Sequence, residues 1–84
     1  MGIEVVNKTY THRREVQRLD SKKIGARLRA LRGERSQKEV ADAVGVTDMA
    51  ISLYENGERI PRDEIKRAIA KFFGVSVEFI FYAD

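Results

Sequence analysis

The sequence predicts an all-α domain of five short helices, and three observations lead to it. Residues 36 to 57, SQKEVADAVGVTDMAISLYENG, encode two helices, a tight turn and their packing in one phrase. On either side, Ile24, Leu28 and Leu31 recur at i, i+4 and i+7, while Ile65, Ala68, Ile69 and Phe72 give a second apolar helix face. Each of these stretches runs into a glycine, and no internal segment makes a convincing strand.

The first twenty residues, MGIEVVNKTYTHRREVQRLD, have no clear period. Ile3, Val5 and Val6 suit the start of a short strand, and Lys8, His12, Arg13, Arg14 and Arg18 make the segment basic in patches. Val16 and Leu19 lean toward the first helix. Residues 1–20 are therefore read as an N-terminal extension, a flexible segment or arm, and residues 21–84 as the helical domain. Asp20 or Ser21 caps the first helix, whose Lys23, Arg27 and Arg29 look outward, and Gly33 ends it. After a short connection Ser36 caps the second helix, and Glu39 three residues on completes a capping box that satisfies two backbone donors reciprocally. Val40, Ala41 and Val44 form its narrow apolar face, and Gly45 follows where a helix commonly stops in a left-handed residue.

Val46 plugs the corner, Thr47 caps the third helix, and Asp48 in its first turn suits the positive end of the helix dipole. Two helices joined this closely cross steeply, which the small Ala41 permits, and Ile51 and Tyr54 point back at the second helix. Gly57 and Pro61 turn the chain toward a fourth helix, which opens with Asp63 and Glu64 and ends at Gly74. Ser76 caps a last short helix whose Phe79 and Ile80 cover the bottom of the core, leaving Phe81 and Tyr82 near the end of the chain.

Composition narrows the function classes. Eighty-four residues make one domain, small but adequate for a helical bundle. The absence of cysteine excludes a disulfide framework or a thiolate metal site. No apolar run approaches bilayer length, and the first residues lack the apolar core of a signal peptide, so the expectation is a cytoplasmic protein with no membrane partner. Without ligand clusters, a glycine-rich phosphate loop or a nucleophile spaced usably from a base, the expectation is no enzyme, no cofactor, no metal and no small-molecule substrate. The formal charge of +3 is unevenly spread: residues 22 to 45 hold seven Lys or Arg against three acids, and residues 46 to 61 hold one Arg against three acids. The positive field belongs to the first two helices, where the plain reading is a set of solvated faces.

Taken together, the SQ that starts one helix, the A-x-x-x-G-V corner and the YENG-x-x-x-P exit resemble the helix-turn-helix of the phage repressor and Cro-like (XRE-type) family, over residues 24 to 81. The Gly33–Arg35 connection is shorter than the family's often is. The resemblance implies a compact five-helix, lambda-repressor-like domain in which the second and third helices form the motif. It also implies a sequence-specific, double-stranded DNA-binding regulator of transcription, a repressor acting as a homodimer on a palindromic operator. By resemblance, Thr47, Asp48, Met49, Ser52 and Leu53 stand where the family reads bases, and Gln37 stands where its helix start clamps the DNA backbone. Lys38, Asn56, Arg59 and Arg62, also at helix ends, join Gln37 as candidate phosphate contacts. Glu55 is expected to pair with Arg32 across helices, a structural duty.

On a helical wheel Ala50, Ile51 and Tyr54 face inward, and Asp48, Met49, Ser52, Leu53 and Asn56 take the other side. The usual bidentate readers, Arg for guanine and Asn or Gln for adenine, are missing from positions 48, 49, 52 and 53. Met49 and Leu53 suit thymine methyls, Asp48 suits the cytosine amino group, and Ser52 bonds either way. Phe79, Ile80, Phe81 and Tyr82 offer a symmetric dimer interface. The N-terminal segment reads as a minor-groove arm or a strand exchanged between subunits, with His12 a phosphate contact or simply solvated.

A second reading uses the same fold differently. Exposed Met49 and Leu53 at i and i+4 also make a protein contact patch, as in a protein-interaction or antitoxin-like regulatory subunit. Asp48 and Gln37 would then be only favourable first-turn residues.

Overall fold

The computed structural model describes residues 19–83. The short strand at Ile3, Val5 and Val6, the basic arm and His12 lie outside the described residues. Within them the chain forms α1 (Ser21–Arg32), α2 (Gln37–Val44), α3 (Asp48–Glu55), α4 (Asp63–Phe73) and a closing π-helical turn (Glu78–Tyr82), with no strand. None of these helices is long and apolar enough to cross a membrane.

Capping follows the sequence closely. Asp20 is the cap of α1, its carboxylate accepting from the backbone N–H of Lys22 and Lys23 at 3.2 Å each, and Leu19 packs against the core. Ser36 Oγ accepts from the Glu39 N–H at 3.0 Å. The expected return bond is not made: the Glu39 carboxylate instead lies 3.9 Å from Arg35 Nε, because an exposed acid gains as much from a neighbouring cation as from a hydrated amide. Gly45 stops α2 in the left-handed region at φ 82°, and Thr47 Oγ1 accepts from the Ala50 N–H at 3.1 Å to start α3.

Packing runs from α1 onto α3, from α3 onto α2 and from α2 onto α4, while the closing turn folds back on α1. Ile24 and Leu28 of α1, Val40, Ala41 and Val44 of α2, Ile51 and Tyr54 of α3, and Ile69 and Ala70 of α4 form the buried core. The α1–α3 crossing turns on Gly25. A Cβ built there would lie 2.2 Å from the Glu55 carbonyl oxygen, so the two backbones approach as closely as only glycine permits.

Two expectations about the second half are corrected. On α4 the fully buried residues are Lys66, Ile69 and Ala70, with Ile65, Ala68 and Phe72 only partly covered. Lys66 is accommodated because Nζ donates to Tyr82 Oη at 3.0 Å and sits over the Phe81 and Tyr82 rings. At the closing turn Ile80 and Phe81 are buried while Phe79 and Tyr82 are each 51% exposed, so Phe81 is core and Phe79 is surface. The cause is the wider π-helical turn, whose i to i+5 bonds rotate the faces away from α-helical positions. Arg27 fastens this turn to α1 by donating from Nη1 to the Ile80 carbonyl at 2.9 Å and from Nη2 to the Ala83 carbonyl at 2.8 Å.

Candidate nucleic-acid interface

The two motif helices are held together by a polar centre as well as by the core. Glu55, at the C-terminal end of α3, is buried to 5% exposure. Its carboxylate accepts from Arg32 Nε at 2.6 Å and Arg32 Nη2 at 3.0 Å, a bidentate pair, and from Gln37 Nε2 at 3.1 Å. Arg29 Nε stands 3.7 Å away. Burial pushes the Glu55 carboxyl up, but the bonds from Arg32 and Gln37, with the charges of Arg32 and Arg29, more than offset it and leave the carboxyl below its ordinary value. Glu55 in turn raises Arg32, first through their hydrogen bond. The expected Arg32–Glu55 pair is therefore present, with Gln37 as a third member. Every buried side-chain polar atom among the described residues has a partner.

This centre fixes α3 so that one face is left without core duty. Asp48 and Asn56 are exposed, Met49 is 71% exposed, and Ser52 and Leu53 are half-buried. Leu53 lies outside the packed core, whereas Ala50 packs against it and Ile51 and Tyr54 belong to it. Thr47 is exposed with its oxygen engaged in the cap of α3. The wheel division read from the sequence is thus the division in space. Ser52 Oγ also accepts from Asn56 Nδ2 at 3.5 Å, a long contact.

The residues at the helix ends differ in their freedom. Lys38 is exposed and 3.4 Å from Asp42 one turn on. Arg59 and Arg62 are exposed and make no hydrogen bond or ion pair with described residues, Arg62 standing at the start of α4. Gln37 is the exception, because one of its two amide N–H groups is spent on Glu55. Its backbone N–H, in the first turn of α2, remains outside the intrahelical ladder.

Sequence reasoning missed two cations that α1 brings to the end of α3. Lys22 Nζ donates to the Asn56 carbonyl at 3.1 Å, and Arg29 Nη2 donates to Asn56 Oδ1 at 2.9 Å. The concentration of positive charge before residue 46 was the available signal, but only the α1–α3 crossing at Gly25 selects which cations arrive there.

A family profile described as "Helix-turn-helix" matches residues 27–80. The chain is 39% identical over 56 residues to the cryptic phage CTXphi transcriptional repressor RstR of Vibrio cholerae, an alignment covering 64% of this chain and 50% of that protein. The chain thus spans about half the length of this curated relative. No solved structure matches it significantly. The profile takes in α2, the corner and α3 entire, together with the second half of α1 and all of α4, so the chain belongs to the phage repressor and Cro-like helix-turn-helix family.

Proposed function

We propose that the protein is a sequence-specific double-stranded DNA-binding regulator of transcription, a repressor that acts as a dimer by occupying a palindromic operator. The observation that carries this reading is the outer face of α3, released from the core and held rigidly by the Glu55 centre, in a chain that belongs to this family. An α-helix presented in this way enters the major groove, with its N-terminal half against base edges. Thr47, Asp48, Met49, Ser52 and Leu53 read bases. Lys38, Asn56, Arg59 and Arg62 hold phosphates on either side, and Gln37 contributes through its backbone N–H and the amide N–H that Glu55 leaves free. That a relative is named a transcriptional repressor supports the same reading.

A domain this small covers little DNA, so useful affinity calls for two copies. Phe79 and Tyr82, the exposed pair of the closing turn, are the surface for the second copy. Sedimentation of Phe79→Asp tests it, because an unchanged association state removes this interface. Operator binding is tested by selecting from a randomised duplex pool and titrating the winners against salt. A palindromic consensus is expected, and with about six phosphates neutralised per dimer log K falls with log salt at a slope of roughly −5. Met49→Ala or Ser52→Ala should relax preference at one or two positions, whereas Arg59→Ala should weaken all sequences alike. A parallel loss for both kinds of change rules out base readout.

The 71% exposure of Met49 favours one other reading, an interaction module that presents the same face to a protein, as an antitoxin-like subunit would. Salt-insensitive binding to a protein partner with no DNA affinity would establish it.

A further inference from the structure

We infer that α3 recognises its half-site through pyrimidines, with thymine C5-methyl groups against Met49 and Leu53 and a cytosine amino group against Asp48; this rests on the operator-binding reading above. Purine recognition needs paired donors for guanine, or an amide that both donates and accepts for adenine. The amides beside the face are those of Gln37 and Asn56, and the structure engages both. Gln37 Nε2 is bound at 3.1 Å to a buried carboxylate that also anchors Arg32. Asn56 Oδ1 is held at 2.9 Å by Arg29. Each amide is thus oriented by the fold rather than by a base, Gln37 keeping its second N–H and its oxygen and Asn56 its Nδ2, and neither stands at positions 48, 49, 52 or 53. Thr47 has one lone pair engaged by the Ala50 N–H and is left with a single hydroxyl, which bonds to either kind of base and carries no preference of its own.

Apart from the hydroxyls of Thr47 and Ser52, which bond to either kind of base, the face presents a thioether, a leucine and a carboxylate. Met49 is 71% exposed, and Leu53 is half-exposed outside the packed core. Asp48 is exposed with no ion-pair partner among the described residues. Apolar groups gain contact on a thymine methyl, and a carboxylate accepts from cytosine N4 while being repelled by the acceptor edge of guanine. Met49 and Leu53 are four residues apart, roughly 6 Å along the helix axis, or about two base steps at 3.4 Å each. The expected half-site therefore carries two thymines about two steps apart, with a cytosine near the first.

The test starts from the winners of the pool selection, bound by the 84-residue chain. Each thymine is replaced in turn by deoxyuridine, which removes the methyl and leaves every hydrogen bond. The expected result is a loss of about fourfold at two positions of each half-site. In Met49→Ala, an exposed change that spares the core, one of those two penalties should vanish. A palindromic consensus indifferent to every deoxyuridine would overturn methyl recognition and leave operator binding standing. Binding with no consensus at all would overturn operator binding, and this inference with it.

Discussion

Replacing Gly25 by alanine is the most direct test of how α3 is held. The added Cβ would stand 2.2 Å from the Glu55 carbonyl oxygen and 2.8 Å from the Tyr54 oxygen, both backbone atoms that cannot swing aside. A comfortable carbon–oxygen contact is about 3.3 Å, so α1 and α3 must part by about 1 Å. A gap of that size forfeits a quarter to a half of the dispersion well of each contact across the crossing. Overpacking of this kind costs about 3 kcal/mol, and alanine's better helix propensity returns about 1 kcal/mol. The net loss is about 2 kcal/mol, which at a slope near 1 kcal/mol per molar urea lowers the midpoint by about 2 M. Urea unfolding followed by circular dichroism reads this directly. Ala30→Gly, exposed in the same helix, serves as the control, losing about 1 kcal/mol through propensity alone. A Gly25→Ala midpoint at or above the parent's would refute the close approach.

Other expectations concern the centre, the closing turn and the cap. Glu55→Gln should cost about 2–3 kcal/mol, below the range for a fully buried pair because the Arg32 side chain keeps 19% exposure. Since the Glu55 carboxyl lies below its ordinary value, its contribution is complete at neutral pH and is lost as acid takes the solution down through that depressed value. Stability curves of parent and Glu55→Gln should therefore converge at low pH, and a constant difference would contradict the pairing. Phe81→Ala should lose about 3–5 kcal/mol in denaturant melts, whereas Phe79→Ala should lose under 1 kcal/mol. Ser36→Ala should cost about 1 kcal/mol and Glu39→Ala much less, because only half of the reciprocal cap is formed.

Features governed by neighbours in sequence were legible in it. The caps at Ser36 and Thr47, the left-handed Gly45 and the division of α3 into two faces all depend on residues within one or two turns, so spacing alone carries them. The Arg32–Glu55 pair was legible through the family resemblance. What escaped depends on contacts between distant segments. Gly25 looks like an ordinary weak point in a helix until α3 is laid across it. Lys66 carries a charge and so counts as surface, yet its ammonium finds Tyr82 sixteen residues on. Phe79 and Phe81 were exchanged because an α-helical period was applied to a turn that is wider. For Gln37, the residue type fits a phosphate clamp, and only the position of Glu55 in space shows that one of its amide N–H groups is also part of the buried centre.

The helix α1 joins two surfaces that have been treated separately. Gly25 seats α3, and Arg27, two residues along, grips the carbonyls of the closing turn that bears Phe79 and Tyr82. In the proposed dimer the route from one reading helix to the other therefore crosses no loose connector; each protomer supplies a stiff strut. Such an assembly works as a ruler. One base pair inserted between half-sites turns the second site by about 35° around the duplex axis and shifts it by about 3.4 Å, and the DNA alone would have to absorb the mismatch by twisting. In that proposed dimer spacer length would be part of the operator's address, alongside the bases themselves.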